Sequence, residues 1–128
     1  MDSVRLTVPA MSAAVRITRG GAAGLATRAG FTYREVEQIV LAVGEAAALL
    51  APEAEGDGTL TVVFDVDSGG LRVDLQLTDR PGPGWASHVP GVAAAVLDAS
   101  VDEWRVSDGG RRVQLVKRLS DTDEADDD

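Results

Sequence analysis

The sequence has 128 residues, no cysteine and one histidine, which excludes disulfides, thiolate chemistry and metal sites built from cysteine or from several histidines. Hydrophobic residues make up 45% and charged residues 26% of the chain, as is typical of one soluble globular domain. No apolar stretch is long enough to span a membrane, and the N-terminal MDSVRLTVP lacks the basic and apolar regions of a signal peptide. We therefore expect a cytoplasmic protein.

The net charge of −9 is concentrated at the C-terminus. The last nine residues, SDTDEADDD, contain six acids and no base, and without them 15 acids face 12 bases, a net charge of −3. Because such a charge run favours a solvated, disordered segment, we expect a domain over residues 1–119 and an acidic tail over 120–128. Nucleic acid is a poor partner for this composition, since phosphate binding needs a basic surface. A basic protein partner is compatible with it.

The first quarter of the chain predicts a strand followed by a helix. Val4, Leu6 and Val8 alternate with polar residues, as in a half-buried strand. After Pro9, apolar residues at helical spacing continue to position 29, and Gly30 fits a C-cap. The pair Gly20-Gly21 should weaken this helix by about 1 kcal/mol per residue relative to alanine, so we expect a kink or fraying there.

The segment FTYREVEQIVLAVGEAAALL, residues 31–50, predicts a long amphipathic helix. Thr32 followed three residues later by Glu35 is typical of a capping box, and Pro52 with the polar run after it ends the helix. Apolar residues at spacings of three and four predict a core-facing stripe: Val36, Ile39, Val40, Val43, Ala46, Ala47 and Leu50.

One acid, Glu45, borders this stripe. Most helical glutamates are solvated, and this is the plainer interpretation. However, no Lys or Arg lies within four residues of Glu45, and its near neighbours are glycine and alanines. Small side chains leave room for a ligand or another backbone to approach, so Glu45 is a candidate site residue.

The rest of the chain predicts two hairpins separated by a short helix. Residues 59–67 and 71–78 alternate apolar and polar side chains around a Ser-Gly-Gly turn, as in an antiparallel sheet with one wet face. Residues 92–99 predict a short apolar helix. The second hairpin covers 103–106 and 112–119 and turns at Asp-Gly-Gly. In its last strand Val113 and Leu115 point to one face and Gln114 and Val116 to the other. Because both faces then carry an apolar residue, the sequence does not decide which face is buried.

The phrase LAVGEAAALL resembles the N-box helix of the GHKL ATPases, in particular the small anti-sigma factor serine kinases of bacterial partner-switching systems. The resemblance extends over roughly residues 4–119 through the order of elements and the phrase FTYREVEQIVLAVGEA. It implies an α/β (α+β) two-layer sandwich, in which a mostly antiparallel five-stranded sheet carries about three helices on one face. This is the histidine-kinase-like ATPase fold.

The nucleotide motifs of that family are altered here. The family's glutamate, a general base or water-orienting group, matches Glu45, but its magnesium-holding asparagine is replaced by Leu49, which offers no oxygen ligand. The aspartate that receives the adenine amino group corresponds to Asp79 in LTDRPGPG. The glycines of that motif, Gly82 and Gly84, are displaced by one position, and prolines at the motif positions stiffen the loop and remove amide donors. The Gly-rich lid motif is reduced to PGVA at 90–93.

The resemblance therefore implies an anti-sigma-factor-like regulatory protein that binds a sigma factor, an anti-anti-sigma protein or both, with weak or lost binding of ATP and magnesium. Two alternatives stay open: an active ATP-dependent serine/threonine protein kinase that uses Glu45 and Asp79, and a non-catalytic α/β assembly module. Trp85 in the loop 80–91 fits a plug of the nucleotide pocket, a partner anchor or a cover of the core. His88 in the same loop is expected to be a surface residue.

The resemblance also implies a homodimer through the N-terminal strand and first helix. Residues 4–29 carry more small apolar side chains than a solvated helix needs, and Arg16, Arg19 and Arg28 supply a basic edge. The apolar candidates for this interface are Ala10, Met11, Ala13, Ala14, Val15, Ala22 and Ala23.

Overall fold

A computed structural model describes residues 2–51, 58–79 and 88–120 of the chain. These ranges contain five strands and three helices, whose bounds lie within two residues of the predicted ones. In chain order they are β1 (Asp2–Pro9), α1 (Ser12–Ala29), α2 (Tyr33–Leu50), β2 (Thr59–Asp67), β3 (Gly70–Thr78), α3 (Gly91–Ser100), β4 (Glu103–Ser107) and β5 (Arg112–Arg118). No helix among the described residues is long and apolar enough to cross a membrane.

The strands form one sheet in the order β1-β2-β3-β5-β4, and all four strand pairs are antiparallel. Alternate side chains of β2, β3 and β5 are buried and meet the apolar sides of the helices in a single core. The core-facing residues of these strands are Leu60, Val62, Phe64, Leu71, Val73, Leu75, Leu77, Val113 and Leu115. The predicted two-layer fold is confirmed, with a sheet that is antiparallel throughout.

The structure resolves the ambiguous last strand. Val113 and Leu115 are buried, and Lys117 follows them on the core face of β5. The intervening Gln114 and Val116 belong to the opposite face, where the sheet carries charged side chains. There Arg112 donates to both carboxylate oxygens of Asp74 on β3, at 2.9 and 2.5 Å, and this hydrogen bond, followed by the charge of Asp74, raises the pKa of Arg112.

The kink expected at Gly20-Gly21 is wrong, because α1 is a continuous helix from Ser12 to Ala29. Its side of Ala14, Thr18, Ala22 and Ala26 is buried, and the added Cβ of an alanine at Gly21 would lie 3.7 Å from the ring of Phe64. Burial against the sheet therefore outweighs the weak helix propensity of the two glycines. The predicted C-cap is confirmed, since Gly30 has a φ of 99°.

The second helix begins with the predicted capping box. The Glu35 amide donates to Thr32 Oγ1 at 3.2 Å, and the Thr32 amide donates to Glu35 Oε1 at 2.8 Å. The predicted stripe faces the core, although Val36 and Val40 are only partly buried and two unpredicted residues, Ala42 and Gly44, are fully buried. This helix fixes the orientation of Glu45.

Candidate functional site

Glu45 lies in the second half of α2 and is partly buried, next to the buried Gly44 and Ala46. The two ion pairs found among the described residues join Arg112 to Asp74 and Arg118 to Glu103, so neither of them involves Glu45. Its carboxylate is therefore held on a rigid helix without a neutralising cation in that part of the chain. This geometry suits a group that contacts a ligand.

Leu49 lies four residues after Glu45, one turn further along the same side of α2. It is partly buried and packs against the hydrophobic core, so its side chain belongs to the interior. Magnesium requires oxygen ligands in near-octahedral geometry, which an isobutyl group cannot supply. The described residues also contain no cluster of three or more His, Cys, Asp or Glu side chains that could hold a metal ion. The residues around Glu45 do not fit the magnesium ion that the fold family implies.

Asp79 follows the last residue of β3 and is exposed. Its φ of 61° places it in the left-handed region, which few non-glycine residues adopt and which aspartate tolerates better than most. Backbone outliers of this kind concentrate at functional sites. The loop that follows, with the predicted site residues Gly82 and Gly84 and with Trp85, lies outside the described residues.

Glu45 thus lies on α2 and Asp79 directly after β3, and these two elements pack against each other. Within the described part of the chain, no hydrogen bond or ion pair joins their side chains. His88 is exposed, as predicted. The remnant of the lid motif begins α3, where Pro90 is the N-cap residue and no side chain caps the helix.

A feature that the sequence did not reveal lies next to Glu45, where α1 packs against α2. Arg19 of α1 extends its aliphatic side chain across Gly44, where an added Cβ would come within 2.6 Å of Arg19 Cδ and 3.2 Å of Cγ. Gly44 is buried beneath this contact, yet Arg19 is exposed. The stem therefore lies against Gly44, although the Arg19 side chain as a whole is exposed to solvent.

We name this surface the α1–α2 seam and define it by Arg16, Arg19, Leu41, Gly44 and Ala48. Leu41 and Ala48 lie one turn before and after Gly44 and are exposed, Leu41 to 52%. Neither Arg16 nor Arg19 belongs to an ion pair of the described residues. Arginine is enriched in protein interfaces, and the exposed Leu41 adds apolar area beside it.

One signal in the sequence could have located this seam. Gly44 is the only glycine in the stretch AVGEAAALL, where alanine would favour the helix by about 1 kcal/mol. A glycine inside a helix that otherwise prefers alanine indicates the close approach of another group. The sequence does not reveal that the approaching group is Arg19.

No family model matches the sequence. Three curated relatives are each named serine-protein kinase RsbW. The protein of Listeria monocytogenes serovar 1/2a is 35% identical over 123 residues, which cover 94% of this chain and 76% of the relative. The Halalkalibacterium halodurans protein is 28% identical over 121 residues, with coverages of 94% and 73%. The Bacillus subtilis protein is 29% identical over 139 residues, with coverages of 93% and 87%.

A solved structure has the same fold. It is the crystal structure of the RsbU and RsbW domains of Rv1364c from Mycobacterium tuberculosis, which matches with a TM-score of 0.67 and 18% identity. The match covers 93% of this chain and 32% of that longer chain, so the present chain spans about a third of it. With the Listeria relative above 30% identity across most of both sequences, the chain belongs to the RsbW serine-protein kinase family.

Proposed function

We propose that this chain is an anti-sigma-factor-like regulator of a bacterial partner-switching pathway that acts in the cytoplasm by binding proteins. The observation that carries the proposal is the pair of Arg19 and Gly44. A buried glycine stands in α2 at a position where alanine would favour the helix, and its missing side chain leaves room for the stem of one exposed arginine. Positioning an exposed guanidinium has little value for folding but is useful for recognising a partner carboxylate.

The α1–α2 seam is the surface that we assign to the sigma factor or the anti-anti-sigma protein. Leu41 supplies exposed apolar area, and the two arginines supply donors at its margin. Arginine is enriched in the residues that dominate binding energy, especially where its side chain is already ordered before binding. A partner with an acidic group beside an apolar side chain would match this seam.

We further propose that binding of ATP with magnesium is weak or lost. Leu49, which packs against the core, has an isobutyl group where the family requires an oxygen ligand, and this supports this part of the proposal. Loss of the metal ligand and of loop amides should together weaken binding by at least about 3 kcal/mol, because each charge-assisted contact is worth roughly 1.5–3 kcal/mol. This corresponds to more than about a hundredfold in affinity.

An active serine kinase is the second candidate, because Glu45 and Asp79 match the family's motif and Asp79 has the unusual backbone of a site residue. Such a kinase would need another way to hold the phosphates. Nucleotide binding and phosphate transfer to an anti-anti-sigma protein distinguish it from the regulator.

A homodimer is part of the proposal, with a revised surface. Ala10, Ala14 and Ala22 are buried in the chain's own core, so they are not available to a second subunit. The exposed apolar side chains of this region are Val4 on β1, at 42%, and Ile17 on α1, at 51%. The two elements contact each other at the β1 edge of the sheet, and a two-fold contact there would cover both side chains.

The proposed function is tested by isothermal titration calorimetry. The purified chain is titrated with sigma factors and with anti-anti-sigma proteins of its source organism. Saturable binding to one of them, without added nucleotide, is the expected result. Binding that requires ATP and magnesium would favour the kinase. Absence of binding to any of them would leave the assembly module.

A further inference from the structure

Lys117 joins three elements at the end of the core. It lies on the core face of β5, and its stem borders a small cavity of about 10 Å³ together with Ile39, Leu71 and Val101. Its ammonium donates to Gln38 Oε1 of α2 at 2.9 Å and to the carbonyl of Ser100, the last residue of α3, at 3.0 Å. Both acceptors are neutral. We call this arrangement the Lys117 clasp.

The position of the clasp suits a cation. The carbonyl groups at the C-terminus of a helix lack intrahelical partners and carry partial negative charge, which attracts a positive group. Ser100 is 3% exposed, so little water competes for its carbonyl. Lys117 is also the only lysine among the 12 basic residues, the other 11 being arginines. A compact ammonium with three donors fits two acceptors on separate helices better than a planar guanidinium does.

Apart from the clasp, α3 is held mainly by its packing against α2. Helix α3 has ten residues, too few for stability in isolation, and only Ala93, Leu97 and Ser100 are buried. Among the described residues, its side-chain hydrogen bonds lie near its C-terminal end, where Trp104 Nε1 also donates to Asp98 Oδ1 at 2.7 Å. At the other end Pro90 provides no side-chain cap, and Val92 is 78% exposed.

We infer that α3 is a hinged unit, fastened at its C-terminus by the Lys117 clasp and able to open separately from the rest of the domain. Gln38, one of the two acceptors in the clasp, lies on the same side of α2 as Glu45, seven residues or about two turns before it. Because α3 packs against α2, loosening the clasp would loosen α3 on the helix that carries Glu45. Elements with few buried contacts open at lower free energy than the global unfolding reaction.

Hydrogen exchange of the full chain under native conditions tests this inference. Lys117→Met removes the ammonium and keeps most of the stem, and it should speed exchange of the Ala94 amide in α3 and of the Val101 amide, which caps α3, by about tenfold or more. Amides of α1 and of β2 should change by less than about threefold. Arg118→Met, on the opposite face of the same strand, is the matched control and should leave α3 unchanged.

A second variant keeps the test decisive if Lys117→Met does not fold. Gln38→Glu replaces a neutral acceptor of the clasp with a carboxylate, and it should slow exchange in α3 while α1 stays unchanged. Equal acceleration of all elements in Lys117→Met, or unchanged α3 exchange in both variants, would overturn the inference.

Discussion

The aliphatic side chain of Arg19 lies across Gly44, so that a Cβ at position 44 would meet Arg19 Cδ at 2.6 Å. The contact crosses from α1 to α2 at the outer surface of the domain. The stem belongs to an exposed arginine that takes part in no ion pair of the described residues. We therefore propose that the partner binds at the α1–α2 seam.

The seam gives the first prediction. Arg19→Ala should weaken binding of the sigma factor or the anti-anti-sigma protein by about thirtyfold or more, because truncation of a central arginine costs at least about 2 kcal/mol. The free energy of unfolding should change by less than about 0.5 kcal/mol, since Arg19 is exposed. Arg28→Ala, an exposed arginine in the last turn of α1, is the control. Equal affinity of the Arg19 variant and the wild type would place the interface elsewhere.

Gly44→Ala provides a graded version of the same test. The added methyl group displaces the Arg19 stem, which is flexible, so the protein should fold while affinity falls less than in Arg19→Ala. Circular dichroism checks the fold, and calorimetry with the partner measures the affinity. Unaltered affinity would indicate that the position of Arg19 is unimportant.

The oligomeric surface gives the third prediction. Ile17→Glu should leave a folded monomer, because Ile17 is 51% exposed and lies at the β1 edge of the domain. Light scattering at tens of micromolar protein should report two chains for the wild type and one for this variant. Ala14→Glu is unsuitable for this purpose, because Ala14 is 1% exposed and a buried unpaired charge would unfold the domain. A wild-type mass of one chain would contradict the dimer.

Two glycines give a matched pair of stability predictions. Gly70 has a φ of 145°, and an added Cβ would lie 2.3 Å from the Lys117 carbonyl oxygen, so Gly70→Ala should destabilise the domain by about 2–4 kcal/mol. An added Cβ at Gly20 meets nothing within 4 Å in the middle of α1, so Gly20→Ala should stabilise it by about 0.5–1 kcal/mol. Denaturant unfolding measures both. The same sign in both variants would contradict this description.

The sequence predicted the elements of the fold because their signals are local. The capping box of Thr32 and Glu35, the C-cap at Gly30 and the alternation in the hairpins each depend on residues close in the chain. The kink at Gly20-Gly21 was wrong because the packing of α1 on the sheet is a tertiary effect that propensity does not include.

The candidate site was only partly predictable. The position of Glu45 beside the core stripe follows from helical periodicity. That Leu49 supplies no oxygen ligand follows from its residue type alone. The Arg19–Gly44 contact joins residues 25 positions apart, and the Lys117 clasp joins β5 to two helices far away in the sequence. Such contacts depend on how the helices cross, which periodicity does not specify. The roles of Glu45 and Asp79 stay predictions.

Glu45 itself separates the regulator from the kinase. In the regulator, Glu45→Ala should leave partner affinity unchanged and alter stability only slightly, because the carboxylate takes part in no ion pair of the described residues. In a kinase, the same variant should abolish phosphate transfer at little cost to folding. The measurement is phosphate incorporation into an anti-anti-sigma protein. We expect the same low phosphate incorporation with wild type and variant. Incorporation by the wild type that is lost in the variant would contradict the regulator.

Calorimetric titration of the purified wild-type chain with ATP and magnesium tests the central claim most directly, since the claim is regulation by protein binding without a working nucleotide site. Leu49 packs into the core and supplies no metal ligand, so we predict no saturable binding below the millimolar range. Leu49→Ala, which adds no oxygen ligand either, should behave in the same way. A dissociation constant in the low micromolar range for the wild type would contradict the account and establish a rebuilt nucleotide site.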